Sequence, residues 1–208
     1  MAPDACAAGF DRWLVDLETR QIHHFEVLVR FTSFGGRFSS YEAITFAEQT
    51  GLINPLTQWV IKAALAQCAE WQGLGMCVPI SVNLSAHNLR DIQFSEQLAA
   101  IFQEVPHAAR CRVCLEITET AMMADPAHAL TILHAMNDMG IVSSIDDFGT
   151  GYSSLAYIKR LPVNELKIDK SFVMGMSIDE NDAVIVRSTI DLAHNLGFKV
   201  VAEGVEDE

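Results

Sequence analysis

The chain alternates short apolar runs, rich in β-branched residues, with stretches that carry helix signals, and few architectures accept that alternation. The runs fall at 13–17, 22–31, 78–84, 112–117, 141–146, 165–168 and 199–203. Between the second and third, Leu56, Trp59, Val60, Ala63, Ala64 and Trp71 fall on one helical face and predict a helix. Asp125-Pro126 reads as an N-cap followed by proline at the first helical position, and Gly140 closes that segment. Asp179, Glu180 and Asp182 complement the positive end of a helix running to about Leu196, with Gly197 after it. The first two runs break the rhythm. The turn around Glu18, Thr19 and Arg20 is too short for the crossover that parallel neighbours need, so they predict an antiparallel hairpin. The remaining βα units suit either an open doubly wound sheet or a (β/α) barrel. No glycine-rich phosphate-binding turn follows any of the first three runs, which disfavours a dinucleotide-binding fold. With 208 residues, 50% of them hydrophobic, one domain with one sizeable core is expected.

Charge narrows the function. Asp and Glu number 27 against 14 Lys and Arg, a formal net charge of −13, so no basic field exists to hold a nucleic-acid polymer or an anionic membrane. An anionic substrate would need local compensation, for which bound cations are the obvious source. The longest charge-free apolar window, from Trp71 to Leu89, is interrupted by Pro79, Ser81, Asn83, Ser85 and Asn88, so no membrane span is expected. The segment from Met1 to Trp13 lacks the basic and apolar regions of a secretory signal, and the expected location is the cytoplasm. Five cysteines, Cys6, Cys68, Cys77, Cys111 and Cys114, read as reduced thiols. Cys111 and Cys114 lie three apart on an expected strand and so point to opposite faces, which argues against a shared metal. The seven histidines show no H-E-x-x-H spacing.

Acidic or amide residues recur at or near the C-terminal ends of the apolar runs, where βα barrels place their chemistry. Glu26 lies in the second run, Asn83 ends the third, Glu116 the fourth, Asp146 and Asp147 the fifth, and Glu203 the seventh; the sixth offers a cation, Lys167. Converging carboxylates repel one another and lose solvation, and one or two hard divalent cations resolve the conflict. Mg²⁺ or Mn²⁺ suits oxygen donors with no thiolate or imidazole among them. Asp146 and Asp147 could bridge two metals in a phosphodiester-cleaving clamp. Lys167 could orient or deprotonate the attacking water, or neutralise developing charge. The competing reading of Asp146-Asp147-Phe148-Gly149-Thr150-Gly151 is an ordinary loop built by turn chemistry.

Several motifs, in order, resemble the EAL family of bacterial cyclic di-GMP phosphodiesterases. Glu26-Val27-Leu28-Val29-Arg30 is similar to the signature Glu-Ala-Leu-Leu-Arg, with Val for Ala. Ala47-Glu48-Gln49-Thr50-Gly51-Leu52-Ile53, Val82-Asn83-Leu84-Ser85 and Glu116-Ile117-Thr118-Glu119 follow. Then come the ten residues from Asp146 to Leu155, Leu166-Lys167-Ile168-Asp169, and Ala202-Glu203-Gly204-Val205-Glu206. The resemblance implies a modified TIM (β/α)8-type barrel with an antiparallel first strand, and hydrolysis of cyclic di-GMP to linear pGpG by in-line attack of a metal-activated water. By the same resemblance, Glu26, Asn83, Glu116 and Asp146 ligate one cation, and Asp146, Asp147 and Glu203 lie near a second. Lys167 and Glu203 are then catalytic, Arg30 and Leu28 bind substrate, and Glu119 anchors the loop beginning at Asp146. The region 146–159 resembles a homodimer contact, and fusion to or regulation by a sensory domain is expected.

Two departures qualify the match. The first strand reads Asp11-Arg12-Trp13-Leu14-Val15 where the family usually has Tyr-Gln-Pro-Ile-Val. Against a TIM barrel of typically about 250 residues, the sequence to Glu208 is expected to lack the last βα unit. The expected organisation is a tail or linker over 1–10 and an EAL-like domain, C-terminally incomplete, over 11–208. The alternative to an enzyme is a receptor that binds cyclic di-GMP without turnover. A metal-dependent lyase of the enolase type is disfavoured, since no capping domain precedes the barrel.

Overall fold

The structure, a computed structural model, describes residues 6–31, 39–105, 113–151 and 154–205. Two compact units divide the chain, Met1–Leu115 and Glu116–Glu208. Of the positions singled out above, Cys111, Arg112, Tyr152, Ser153 and Glu206 lie outside the described residues.

In the first unit, β1 (Cys6–Val15) and β2 (Ile22–Phe31) form the expected antiparallel hairpin, with Arg12 opposite Glu26 and Trp13 opposite Phe25. The Asp16 carboxylate builds the turn by accepting from the Thr19 amide at 2.7 Å and the Glu18 amide at 3.1 Å. Strand pairing starts at Cys6 rather than at Trp13, so residues 6–10, expected in a tail, are strand, and Leu17 lies in the turn. Small residues at Ala7, Ala8 and Gly9 hide that pairing from a hydrophobic pattern. Next come α1 (Ser40–Thr50) and α2 (Ile53–Gly73). A reciprocal capping box between Ser39 and Glu42 starts α1, and Gly51, in the left-handed conformation, ends it. The buried face of α2 runs through Leu56, Val60, Ile61, Ala64, Leu65 and Cys68, whereas Trp59, expected on that face, sits at its rim with 36% exposure. Trp71 packs on Phe25 of β2, ring centroids 5.3 Å apart. β3 (Ile80–Leu84) runs parallel to β2 with Glu26 beside Ser81.

A buried polar knot shapes the loop after β3. Asn88 accepts from the Ser85 amide at 2.8 Å and the Thr57 hydroxyl at 3.2 Å, and donates to Asn54 at 2.8 Å. Ser85 in turn donates to Glu48 of α1 at 2.6 Å, which brings two of the sequence motifs into contact. After α3 (Phe94–Gln103), the first half of β4 (Val113–Thr118) completes this unit.

In the second unit, β4 continues directly into α4 (Glu119–Ala124) and α5 (Pro126–Asp138), the latter capped by Asp125 with Pro126 in its first turn, as expected. β5 (Val142–Phe148), α6 (Leu155–Ile158), β6 (Glu165–Ile168), α7 (Lys170–Gly175), α8 (Glu180–Asn195) and β7 (Lys199–Ala202) follow. β5, β6 and β7 are parallel neighbours in chain order. Asn164 sets their register: its side-chain oxygen and backbone amide pair with Ser143 at 3.0 and 2.9 Å, and its carbonyl accepts from Lys199 at 3.0 Å. Ile145, Leu166 and Ile168 fill the core with Ala129, Leu133 and Met136 of α5 also buried. Among the described residues no helix is long and apolar enough to cross a membrane.

Replacing Asn88 by Ala strands the Ser85 amide and the Thr57 hydroxyl, and is expected to lower unfolding free energy by about 2 kcal/mol. Urea denaturation followed by circular dichroism checks this; a change within error would show that the knot adds nothing to stability.

Candidate active site

Strand ends of the second unit converge on one ammonium group. Lys167 of β6 is 1% exposed, and its Nζ lies 3.0 Å from Glu116 Oε2 of β4, 3.2 Å from Asp146 Oδ1 of β5 and 2.7 Å from Glu203 Oε1, just past β7. The backbone of Glu203 is tied to the same place, its amide donating to the Ile168 carbonyl at 3.2 Å. Burial opposes the charged form of Lys167, but Glu116, Asp146 and Glu203 outweigh it and raise its pKa. A lysine so held keeps its proton at neutral pH.

Asp147, next along the chain, turns the other way. It has a left-handed backbone, φ 53°, and its amide donates to Asp146 Oδ1 at 3.0 Å. Burial, then the neighbouring charges of Asp146, Asp169 and Glu203, push its carboxyl up to about 6 against the lowering pull of Lys167. Asp169 drew no role from the sequence beyond its place in a motif. It caps α7 through the Ser171 amide at 2.9 Å and adds negative charge beside Asp147.

The Asp146 loop is held by Glu119. Its Oε2 accepts from the amides of Gly149 at 2.9 Å and Gly151 at 3.1 Å. Gly149 has φ +101°, and a Cβ there would lie 2.9 Å from the Phe172 ring. The turn chemistry of the competing reading is present as well, for Thr150 Oγ1 donates to the Asp147 carbonyl at 2.8 Å.

In the first unit Glu26 is buried. Its Oε2 accepts from Arg12 Nη1 at 2.7 Å and its Oε1 from Asn83 Nδ2 at 2.8 Å. Glu26 and Asn83, both read as ligands from sequence, are thus brought together. Leu28 and Arg30 alternate with Val27 and Val29, which puts them on the strand face of Glu26.

Oxygens of Asp146, Asp147 and Glu203 all lie within 4.8 Å of one another and could hold a metal ion. These are hard donors with no thiolate or imidazole among them, so the residues fit a divalent cation of the Mg²⁺, Ca²⁺ or Mn²⁺ kind.

Comparison with known proteins agrees with this geometry. The EAL domain family matches residues 14–208. The chain is 35% identical over 198 residues to Cyclic di-GMP phosphodiesterase NbdA of Pseudomonas aeruginosa, covering 93% of this chain and 25% of that protein. It is 34% identical over 187 residues to Cyclic di-GMP phosphodiesterase PdeR of Escherichia coli, covering 89% and 28%. Among solved structures, the PaMucR phosphodiesterase in complex with c-di-GMP aligns with TM-score 0.89 and 33% identity, over 99% of this chain and 83% of that one. The fold class is therefore α/β, a TIM-barrel variant with a mostly parallel sheet and an antiparallel first pair of strands. The chain belongs to the EAL family, whose members are metal-dependent. It spans about a quarter of the length of the curated relatives it matches.

Because the native-state pKa of Asp147 lies above its ordinary value of 3.8, this group destabilises the metal-free protein increasingly as pH rises from about 4 through 6. Asp147→Asn, which also suits a left-handed backbone, is expected to stabilise the protein in EDTA by about 1 kcal/mol at pH 7.5, a figure discounted for partial exposure, with the gain shrinking toward pH 4. Thermal melts across that range test the sign; a gain independent of pH would exclude the charge as its source.

Proposed function

We propose that this chain is a cyclic di-GMP phosphodiesterase, opening one phosphodiester of the ring by in-line attack of water to leave linear pGpG. The observation that carries the reading is the buried, charged Lys167 shared by Glu116, Asp146 and Glu203, beside the metal-competent oxygens of Asp146, Asp147 and Glu203. The activity named for NbdA and PdeR supports it, as does a net charge of −13 that a small anion tolerates only at a locally compensated site.

By the family resemblance, Glu26, Asn83, Glu116, Asp146, Asp147 and Glu203 are the residues that would hold two divalent cations, Mg²⁺ or Mn²⁺, and Asp146, Asp147 and Glu203 have oxygens close enough together to do so. When bound, such ions neutralise the phosphate and acidify water. Lys167 does not accept a proton. It fixes the Glu116, Asp146 and Glu203 carboxylates in place and keeps a positive charge near the phosphate. Glu203 is only partly buried and accepts the proton of the attacking water, with Lys167 holding its other side. Arg30 meets phosphate as a rigid, permanently charged fork, and Leu28 packs against the substrate. Glu119 keeps Asp146 and Asp147 aimed by tying down the glycines that follow them. The resemblance further supports a homodimer through 146–159, where Leu155 of α6 is exposed, and control by a sensory domain.

Incubation with cyclic di-GMP and Mg²⁺ or Mn²⁺, followed by nucleotide chromatography, is expected to yield pGpG. Glu203→Gln is expected to lower kcat by about a hundredfold or more while leaving cyclic di-GMP binding in place. Tight binding without any pGpG from the unaltered chain would refute the enzyme and leave the receptor.

A further inference from the structure

Arg12 stands where similar chains carry a neutral Gln, and the structure gives it a partner that the sequence did not suggest. The antiparallel register sets Arg12 of β1 directly opposite Glu26 of β2, and cross-strand partners share a face. Its Nη1 donates to Glu26 Oε2 at 2.7 Å, in the range of a charge-assisted bond. The other oxygen of the same carboxylate accepts from Asn83 at 2.8 Å. Both oxygens of Glu26 therefore face N–H donors, one of them cationic. A divalent cation would use the same lone pairs, and it would be repelled by a guanidinium already seated on them.

Lys167 and Arg12, each paired with a buried carboxylate, differ in exposure. Lys167 is sealed among three carboxylates. The Arg12 side chain is 59% exposed while that of Glu26 is 4% exposed, so water reaches the guanidinium but hardly the carboxylate.

We propose that Arg12 is an internal competitor for the divalent cation at Glu26: it neutralises the carboxylate in the metal-free protein and must vacate Oε2 before a cation can ligate there. Arg12 thereby sets the cation concentration at which the site fills. This rests on the assignment of Glu26 as a cation ligand, made above.

The test is Mn²⁺ binding by the purified chain without substrate, read from the electron paramagnetic resonance signal of free Mn²⁺. Arg12→Gln and Arg12→Met are expected to tighten binding about fivefold, the size expected of removing an ion pair with one solvent-exposed partner. Glu26→Gln is expected to weaken it. Thermal melts supply a second measurement: the rise in melting temperature on adding Mn²⁺ should be larger for both Arg12 variants than for the unaltered chain. Should the Arg12 variants bind Mn²⁺ no more tightly while Glu26→Gln binds it more weakly, the competition is refuted and Glu26 stands as a ligand. If Glu26→Gln leaves Mn²⁺ affinity unchanged, Glu26 is not a ligand, and both the competition and that part of the proposed function fall.

Discussion

A buried ammonium group within 3.2 Å of three carboxylates persists only if strand geometry forces all four side chains to one place. Desolvating Lys167 alone would favour the neutral amine, and desolvating Glu116 beside Asp146 and Glu203 would favour protonated acids. Placed together, the ammonium and the carboxylates compensate one another's lost solvation, and removing one partner would leave a buried charge without that compensation. Packing around it is correspondingly rigid. Ile145, Leu166 and Ile168 alternate with the charged residues and are fully or almost fully buried, and Asn164 pins the starts of β5, β6 and β7. Register is the variable that matters here, because a one-residue slip would turn Lys167 to the other face of its strand.

The same logic recurs, with a weaker bond, at Glu26. A buried carboxylate needs a positive or hydrogen-bonding partner, and in the first unit Arg12 and Asn83 supply it. Asp147 is the exception. Its neighbours are mostly acids, it adopts a left-handed backbone, and its carboxyl is pushed up to about 6. Glu119 accepts from the Gly149 and Gly151 amides that follow Asp147.

Much of the fold was legible because its signals are local. The hairpin follows from a turn too short for a crossover, and α5 from Asp125-Pro126 and Gly140. What escaped depends on long-range partners. The start of β1 at Cys6 rests on pairing with β2 through Ala7, Ala8 and Gly9, which carry no hydrophobic signal. On α2, Ile61 and Leu65 are buried where Trp59 is at the rim, since helical spacing gives a face but not which edge of it meets the neighbour. Asn88 looked like an interruption of an apolar window and is instead the centre of a buried knot. Among the site residues, Asp169 was passed over because its influence is electrostatic, exerted on Asp147 more than twenty positions away.

Sequence alone determined the βα rhythm, the family, and the residue types at the strand ends, because alternation and motif spacing are properties of neighbouring positions. It could not decide protonation or partnership. Which carboxylates surround Lys167 depends on the fold, and three reach it, from strand ends 51, 21 and 36 positions away along the chain. That Arg12 partners Glu26 depends on the cross-strand register. Tertiary structure decided both, since the energy of a charge is set by what surrounds it in space.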